Sequence, residues 1–291
     1  MPPALTFLVS LPLLAGWAPW GGDGHEMAAR AAVDVLPTEM PAFFLEAGDQ
    51  LVWLDPEPDR WRDRDRREMD AAGSFDHYID FENLPAGALD APDRFSYLAE
   101  LFAAGLSEPA RDGGFLPYRI VELYQRLASL WERWQRTEPG SDERGWIEQR
   151  ILNDAGILGH YVTDGSQPHH TTIHFNGWAS GAPNPEGYTE DRGFHARFET
   201  AFVSSHLEYL DVRGETAAPS ARPADVRYAV LDYLWTTHEH VDRLYALDRD
   251  VGFDPFAPAA PDAEAFAAER LGAGASMLAK LWWWAWLESE M

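Results

Sequence analysis

The chain has 291 residues, 46% of them hydrophobic, enough for a sizeable core built as one large domain or two small ones. Lys and Arg total 23 against 48 Asp and Glu, a formal net charge of −25, so the surface repels polyanions and argues against a basic nucleic-acid groove, although bound divalent ions could reverse the field locally. Cysteine is absent, which excludes disulfides, thiolate metal sites and a cysteine nucleophile; any metal must be held by nitrogen and oxygen.

From the N-terminus, LTFLVSLPLLAG is an apolar run of signal-peptide length, too short to span a bilayer comfortably, although MPPA before it lacks the usual basic residues. Residues 1–19 are therefore expected to form a signal peptide or an N-terminal apolar segment, and the protein to be secreted or periplasmic. HEMAARAAVDVLP has helical propensity and stops at Pro37, and MPAFFLEAGDQLVWL reads as a second helix. DPEPDRWRDRDRREMDAAGS is proline-punctuated and densely charged, the pattern of an exposed loop. APDRFSYLAELFAAGL is a helix, and LPYRIVELYQRLASLWERWQR is a long amphipathic one with Ile120, Leu123, Leu127 and Trp131 at three-to-four spacing. SDERGWIEQRILNDAGILGHYVTDG carries a Ser-Asp-Glu start and a Gly165 end, a plausible cap pair. NGWASGAPNPEGYTEDRG must be loop. Helix resumes at FHARFETAFVSSHLEYL, then at ADVRYAVLDYLWTTHEHVDRLYAL and DAEAFAAERLGAGASMLAKLWWWAWL, where LWWWAW suits a buried face better than a membrane anchor. With no competing strand pattern or internal repeat, residues 20–291 are expected to form one all-α domain, a bundle of roughly seven to nine helices.

The stretch GHYVTDGSQPHH, Gly159 to His170, concentrates three of the ten histidines. His160 and Asp164 are four apart and project together from one helix face. A single such pair is an ordinary helix-face pair. A second at the same spacing, His195 and Glu199 in GFHARFE, follows a loop that could fold its helix onto the first. Two pairs plus His170 begin to supply the three or four nitrogen and oxygen ligands that zinc takes.

These residues carry a resemblance to the zinc-dependent phospholipase C family, which shares its fold and a trinuclear zinc site with the secreted single-strand-specific nucleases. The family pattern runs His-x-x-x-Asp, Gln-Pro-x-His, His-x-x-x-Glu. Gln167, Pro168 and His170 match the middle element and leave His169 in the variable slot. WGGDGH gives Trp20 and His25 the nuclease-branch spacing, and HYID gives His77 followed by Tyr78 and Asp80. The family's upstream aspartate corresponds to Asp59 in EPDRW, with Asp55 and Asp63 as alternatives. The resemblance covers most of the chain from Trp20 to Glu199.

What the resemblance implies is a helical bundle of that type holding Zn2+, three ions or at least two. One would lie between Asp59, His77, His160 and Asp164, a second between His170, His195 and Glu199. A third would take His25, the other oxygen of Asp164, and the free amine and carbonyl of an N-terminal tryptophan, Trp20 or, after a different cleavage, Trp17. Asp59 and Asp164 would be the catalytic carboxylates, and a metal-activated hydroxide would hydrolyse a phosphodiester.

The branch divides on particular residues. Glu199 is the phospholipase form, so a phospholipid head group is the first expected substrate. WGGDGH and HYID lean to the nucleases, for which Tyr78 would stack on a base of single-stranded nucleic acid and Asp80 would bond it. A third alternative is a metal-binding module without catalysis. His174 lies in the loop lining the expected cleft and is a candidate substrate contact. Arg60 or Arg62, beside Asp59, could meet phosphate. His206 and the His238-Glu239-His240 run read as structural, since adjacent residues diverge around a helix. No stable protein partner is expected, and the protein reads as a monomer.

Overall fold

The structure, a computed structural model, describes residues 21–290. Trp17, Trp20 and the apolar segment over residues 1–19 lie outside the described residues. The architecture is all-α: α1 (Gly21–Val33), α2 (Ala42–Glu46), α3 (Gly48–Leu54), α4 (Arg67–Gly73), α5 (Arg94–Ala103), α6 (Pro109–Gly113), α7 (Leu116–Arg136), α8 (Asp142–Asp164), α9 (Phe194–Ala196), α10 (Val203–His206), α11 (Tyr209–Gly214), α12 (Val226–His238), α13 (Val241–Asp250) and α14 (Pro261–Ser289). Seven of these, α1, α5, α7, α8, α12, α13 and α14, run ten residues or more. Among the described residues, β pairing is confined to two isolated bridges.

Helix α8 is the axis of the bundle and packs against α7, α14, α3 and α1. Its start is the one expected from sequence: the Ser141 hydroxyl accepts from the Arg144 N–H at 3.2 Å, and Asp142 and Glu143 favour the positive end of the helix dipole. From Asp154 to Asp164 every residue is buried, so the helix enters the interior with no solvent face. It carries His160, Thr163 and Asp164 with it, and buried polar groups of this kind must find partners.

Gly165 ends α8, though not by the left-handed conformation that usually selects glycine there: its φ is −62°. The constraint is steric, because a Cβ at this position would lie 2.8 Å from Leu234 Cδ2 of α12 and 2.9 Å from Tyr233 Cε1. The carbonyl of Val162 in turn accepts from the Tyr233 hydroxyl at 2.7 Å.

Several boundaries differ from the sequence expectation. MPAFFLEAGDQLVWL is two helices, α2 and α3, separated at Ala47. The charged stretch after it is not simply loop: Glu57–Trp61 forms a 3-10 turn behind Pro56, and α4 follows. ADVRYAVLDYLWTTHEHVDRLYAL breaks between α12 and α13, so His238, Glu239 and His240 sit at a helix junction. FHARFETAFVSSHLEYL passes from α9 through a π-helical turn, Arg197–Phe202, into α10, then breaks before α11. The π turn holds Glu199, and such single turns often mark functional sites.

The aromatic run of α14 is core. Trp282, Trp284 and Trp286 are buried, and the Trp282 indole N–H donates to the Ala155 carbonyl of α8 at 3.1 Å. Phe44 packs edge-on against Trp282, and Trp131 edge-on against Trp286. None of the described helices is long and apolar enough to cross a membrane. Trp282→Ala is expected to destabilise the fold by about 3–5 kcal/mol, the range for emptying a large buried aromatic site. Urea unfolding of the purified variant measures this, and a loss under about 1 kcal/mol would contradict the packing described.

Candidate metal centre

Five imidazoles and three carboxylates from distant parts of the chain meet at the inner end of α8. They form three groups whose ligand atoms lie within 4.8 Å of one another: His25, His160 and Asp164; Asp59, His77 and His160; His170, His195 and Glu199. Helix α1 delivers His25, the 3-10 turn after α3 delivers Asp59, and a second 3-10 turn, Ser74–His77, delivers His77. Helix α8 contributes His160 and Asp164 one turn apart.

The Gln-Pro element explains how the chain reverses after α8. Pro168 opens the 3-10 turn Pro168–Thr171, and the Gln167 side-chain oxygen caps it by accepting from the His169 N–H at 2.9 Å. The turn presents His170, whose Nδ1 donates to the His77 carbonyl at 2.7 Å, while the Ile79 N–H donates to the His170 carbonyl at 2.9 Å. The amide nitrogen of the same Gln167 donates to Glu199 Oε2 at 3.1 Å, tying this turn to the π turn that bears Glu199.

Asp164 is the hub. Its Oδ2 lies 2.9 Å from His77 Nδ1 and 3.3 Å from His160 Nε2, and its Oδ1 lies 3.6 Å from His25 Nε2 and 3.5 Å from His170 Nδ1. Asp59 Oδ1 stands 3.6 Å from His160 Nε2 and 4.0 Å from His77 Nδ1. On the other side His195 Nε2 lies 2.7 Å from Glu199 Oε2 and 3.2 Å from His170 Nε2.

The donor set suits a bound cation. Two nitrogens on one tetrahedral zinc at about 2.0–2.1 Å each sit roughly 3.3 Å apart. The His77–His160 and His170–His195 nitrogen separations are 3.0 and 3.2 Å. Moreover, His25 Nε2, Asp59 Oδ1 and Asp164 Oδ1 are buried without a hydrogen-bond partner among the described residues, although each belongs to a group of converging ligand atoms. Cations held by the first two of these groups would satisfy the orphaned atoms. These buried groups can therefore hold a metal ion.

The protonation pattern follows from burial opposed by neighbours. Burial pushes His77 down to about 4 and His160 down to about 3, leaving both neutral. Burial would also lower His25, but the carboxylates of Asp164 and Asp55 outweigh that and hold it well above the usual histidine value. His170 is raised in the same way: burial works downward, and Asp164 and Glu199 prevail. Burial works upward on Asp164, yet the surrounding imidazoles, His160 and His170 first, hold it well below the carboxylate range. Glu199 is lowered against burial by His195 and His170. Asp59 is raised, by burial first and then by the charge of Asp164.

Of the three upstream aspartates, Asp59 is the one in the ligand cluster. Asp63 bonds Arg66 and the Asp65 N–H in the charged loop. Asp55 is fully buried and accepts from His25 Nδ1 at 2.7 Å, a partnership that sequence spacing did not reveal. Arg62 stands 3.8 Å from Asp59, whereas Arg60 turns to Glu57 and the Trp53 ring. His169 is buried against Gln167, Phe194 and Tyr245, outside the three groups.

Tyr78 is half-buried, its hydroxyl donating to the Arg111 carbonyl at 2.7 Å. Asp80 is buried, and its carboxyl is pushed up to about 8 by burial and by Glu82 and Asp112. His174 stacks on Trp178 at 3.7 Å and its Nδ1 accepts from the Ala179 N–H at 2.9 Å, so its ring is held by the loop itself. His206 and His238 bond the carbonyls of Asp254 and Thr171. Searched against protein-family models and against curated proteins, the chain matches none.

Because His25 and His170 hold protons more tightly than free histidine, a cation must displace those protons to bind. Affinity is expected to fall as pH drops through that raised range, because the imidazoles become cationic and compete. Calorimetry in two buffers of different ionisation enthalpy should detect proton release at about pH 7. Zinc binding that releases no protons, and is as tight at about pH 5.5 as at 7.5, would contradict this arrangement.

Proposed function

We propose that the protein is a zinc-dependent phosphodiester hydrolase of the phospholipase C type. The observation that carries this reading is the position of Asp164: one buried carboxylate with its two oxygens turned toward two different sets of imidazoles. An all-nitrogen-and-oxygen donor set without thiolate suits zinc in a catalytic role. Zinc, when bound, supplies Lewis acidity toward phosphoryl oxygens and lowers the pKa of water.

The chain's own residues support that chemistry. His77 and His160 stay neutral and offer lone pairs, and Asp164 and Glu199 stay ionised. Asp59 and His195 are the most accessible ligands, with side chains 12% and 15% exposed, so substrate would enter on their side. Arg62, 27% exposed and next to Asp59, offers a guanidinium to a phosphate oxygen arriving there. Asp59 and Asp164 would keep the roles of catalytic carboxylates, at the edge and the centre of the cluster.

Long-range charge favours a phospholipid over a polynucleotide. At −25 the protein repels a polyanion, whereas a zwitterionic head group such as phosphocholine feels little net force. A second reading, a single-strand nuclease or 3′-nucleotidase, draws on Asp80: with its carboxyl pushed up to about 8, it is protonated at neutral pH and could donate to a nucleobase beside the Tyr78 ring.

Zinc-loaded protein is expected to release phosphocholine from phosphatidylcholine at a rate nearly independent of salt. Cleavage of single-stranded DNA without phosphocholine release, accelerating as salt screens the repulsion, would instead favour the nuclease reading. Neither activity in a zinc-replete protein would leave a binding module. Asp164→Asn should lose both turnover and bound zinc, since each oxygen of this carboxylate faces a different set of imidazoles. Full zinc content and activity in that variant would overturn the assignment.

A further inference from the structure

We infer that Asp55 is the positioning residue of the His25 ligand, fixing which ring nitrogen faces the centre, and that Gly159 exists to make room for it. The inference rests on the metal-dependent reading and assigns a residue outside the three ligand groups.

Asp55 closes α3, its N–H bonded to the Leu51 and Val52 carbonyls, and α3 is packed on both α1 and α8. That packing places the carboxylate between His25 and Gly159. Asp55 Oδ1 accepts from His25 Nδ1 at 2.7 Å, and both side chains are fully buried. With Nδ1 turned to Asp55, Nε2 is the nitrogen left to take a cation once its proton is displaced; it stands 3.6 Å from Asp164 Oδ1 with no hydrogen-bond partner among the described residues. A carboxylate behind an imidazole both fixes the ring and raises its basicity as a ligand.

Among the five ligand histidines this support is peculiar to His25. The outward nitrogen of His170 donates to a backbone carbonyl, and the carboxylate 3.5 Å from it is the ligand Asp164 itself; those of His77, His160 and His195 have no hydrogen-bond partner among the described residues. Gly159, one residue before His160 on α8, completes the arrangement. A Cβ there would fall 2.1 Å from Asp55 Oδ2, a distance no side chain tolerates. Among the described residues Asp55 Oδ2 is buried with no hydrogen-bond partner, a costly state for a carboxylate whose one hydrogen bond there goes to an imidazole. A cation on His25 Nε2 offsets that cost through the ring, which an ordinary structural pair would not need.

Zinc content and stepwise zinc affinity of the full chain test this. Asp55→Leu removes the acceptor and is expected to lose the ion held by His25 while keeping the ion of the His170, His195 and Glu199 group. Asp55→Asn keeps an acceptor oxygen but not its charge, and should weaken that one ion about 10–100-fold. Gly159→Ala should weaken the same ion by displacing Asp55, and adding it to Asp55→Ala, which leaves no atom where Oδ2 stood, should cost little more. Unfolding curves in chelator separate this from a folding defect: a purely structural Asp55 would destabilise the metal-free protein and spare stepwise affinity. If Asp55→Asn is folded and binds every ion as tightly as the parent, the inference fails while the phosphodiesterase reading stands. A parent chain that binds no zinc would overturn both.

Discussion

A carboxylate with no exposure, facing four imidazoles, is the constraint around which this bundle is built. An uncompensated charge buried at the position of Asp164 would cost several kcal/mol, comparable with the whole stability of a domain. His77, His160, His25 and His170 each stand within 3.6 Å of one of its oxygens. They cannot all be protonated, because His77 and His160 are pushed down by burial. Without a cation the balance is struck by protons on His25 and His170; with one, the same geometry is satisfied by a smaller, denser charge. On the metal-dependent reading the cluster would exchange a proton-held form for a cation-held one.

That rigidity comes from where the ligands are mounted. His160 and Asp164 sit on the most enclosed turns of the central helix, backed by the aromatic packing of α14. The turns that bring the remaining ligands are short and tied to one another. Gln167 caps the turn of His170 with its oxygen and holds Glu199 with its nitrogen, and the backbone of His77 and Ile79 bonds that of His170. A ligand displaced at one end would pull on the others, so the site behaves as one cooperative network.

The legible and illegible parts of this site divide by sequence range. His160 with Asp164 and His195 with Glu199 follow from helical periodicity, a local property, and Gln167-Pro168 announces a turn by the chemistry of its residues. The all-α class and the buried tryptophan face of α14 were equally local. Choosing between Asp55 and Asp59 was another matter. Both sit near the end of α3, four residues apart, yet one turns behind His25 and the other onto His160. Only the packing of α3 against α1 and α8 separates them, and no spacing encodes that. Gly165 makes the same point: it looked like a left-handed cap, but the neighbouring helix, not its own φ, requires it. The splits at Ala47 and between α12 and α13, and the π turn through Glu199, are likewise compromises that tertiary packing imposes on otherwise helical sequence.

The acidic surface and the imidazole-rich interior are complementary. A shell carrying −25 raises the local concentration of divalent cations and lowers that of competing polyanions. Cations held by the buried ligand cluster would reverse the sign of the field there. On the proposed phosphodiesterase reading, a suitable substrate would carry its negative charge on one phosphoryl group and be otherwise neutral or zwitterionic, since it would cross an acidic surface to reach the metal site. The same reasoning gives Arg62 its value: in the unbound protein it stands as a fixed positive charge beside Asp59, where the cluster is most open to solvent.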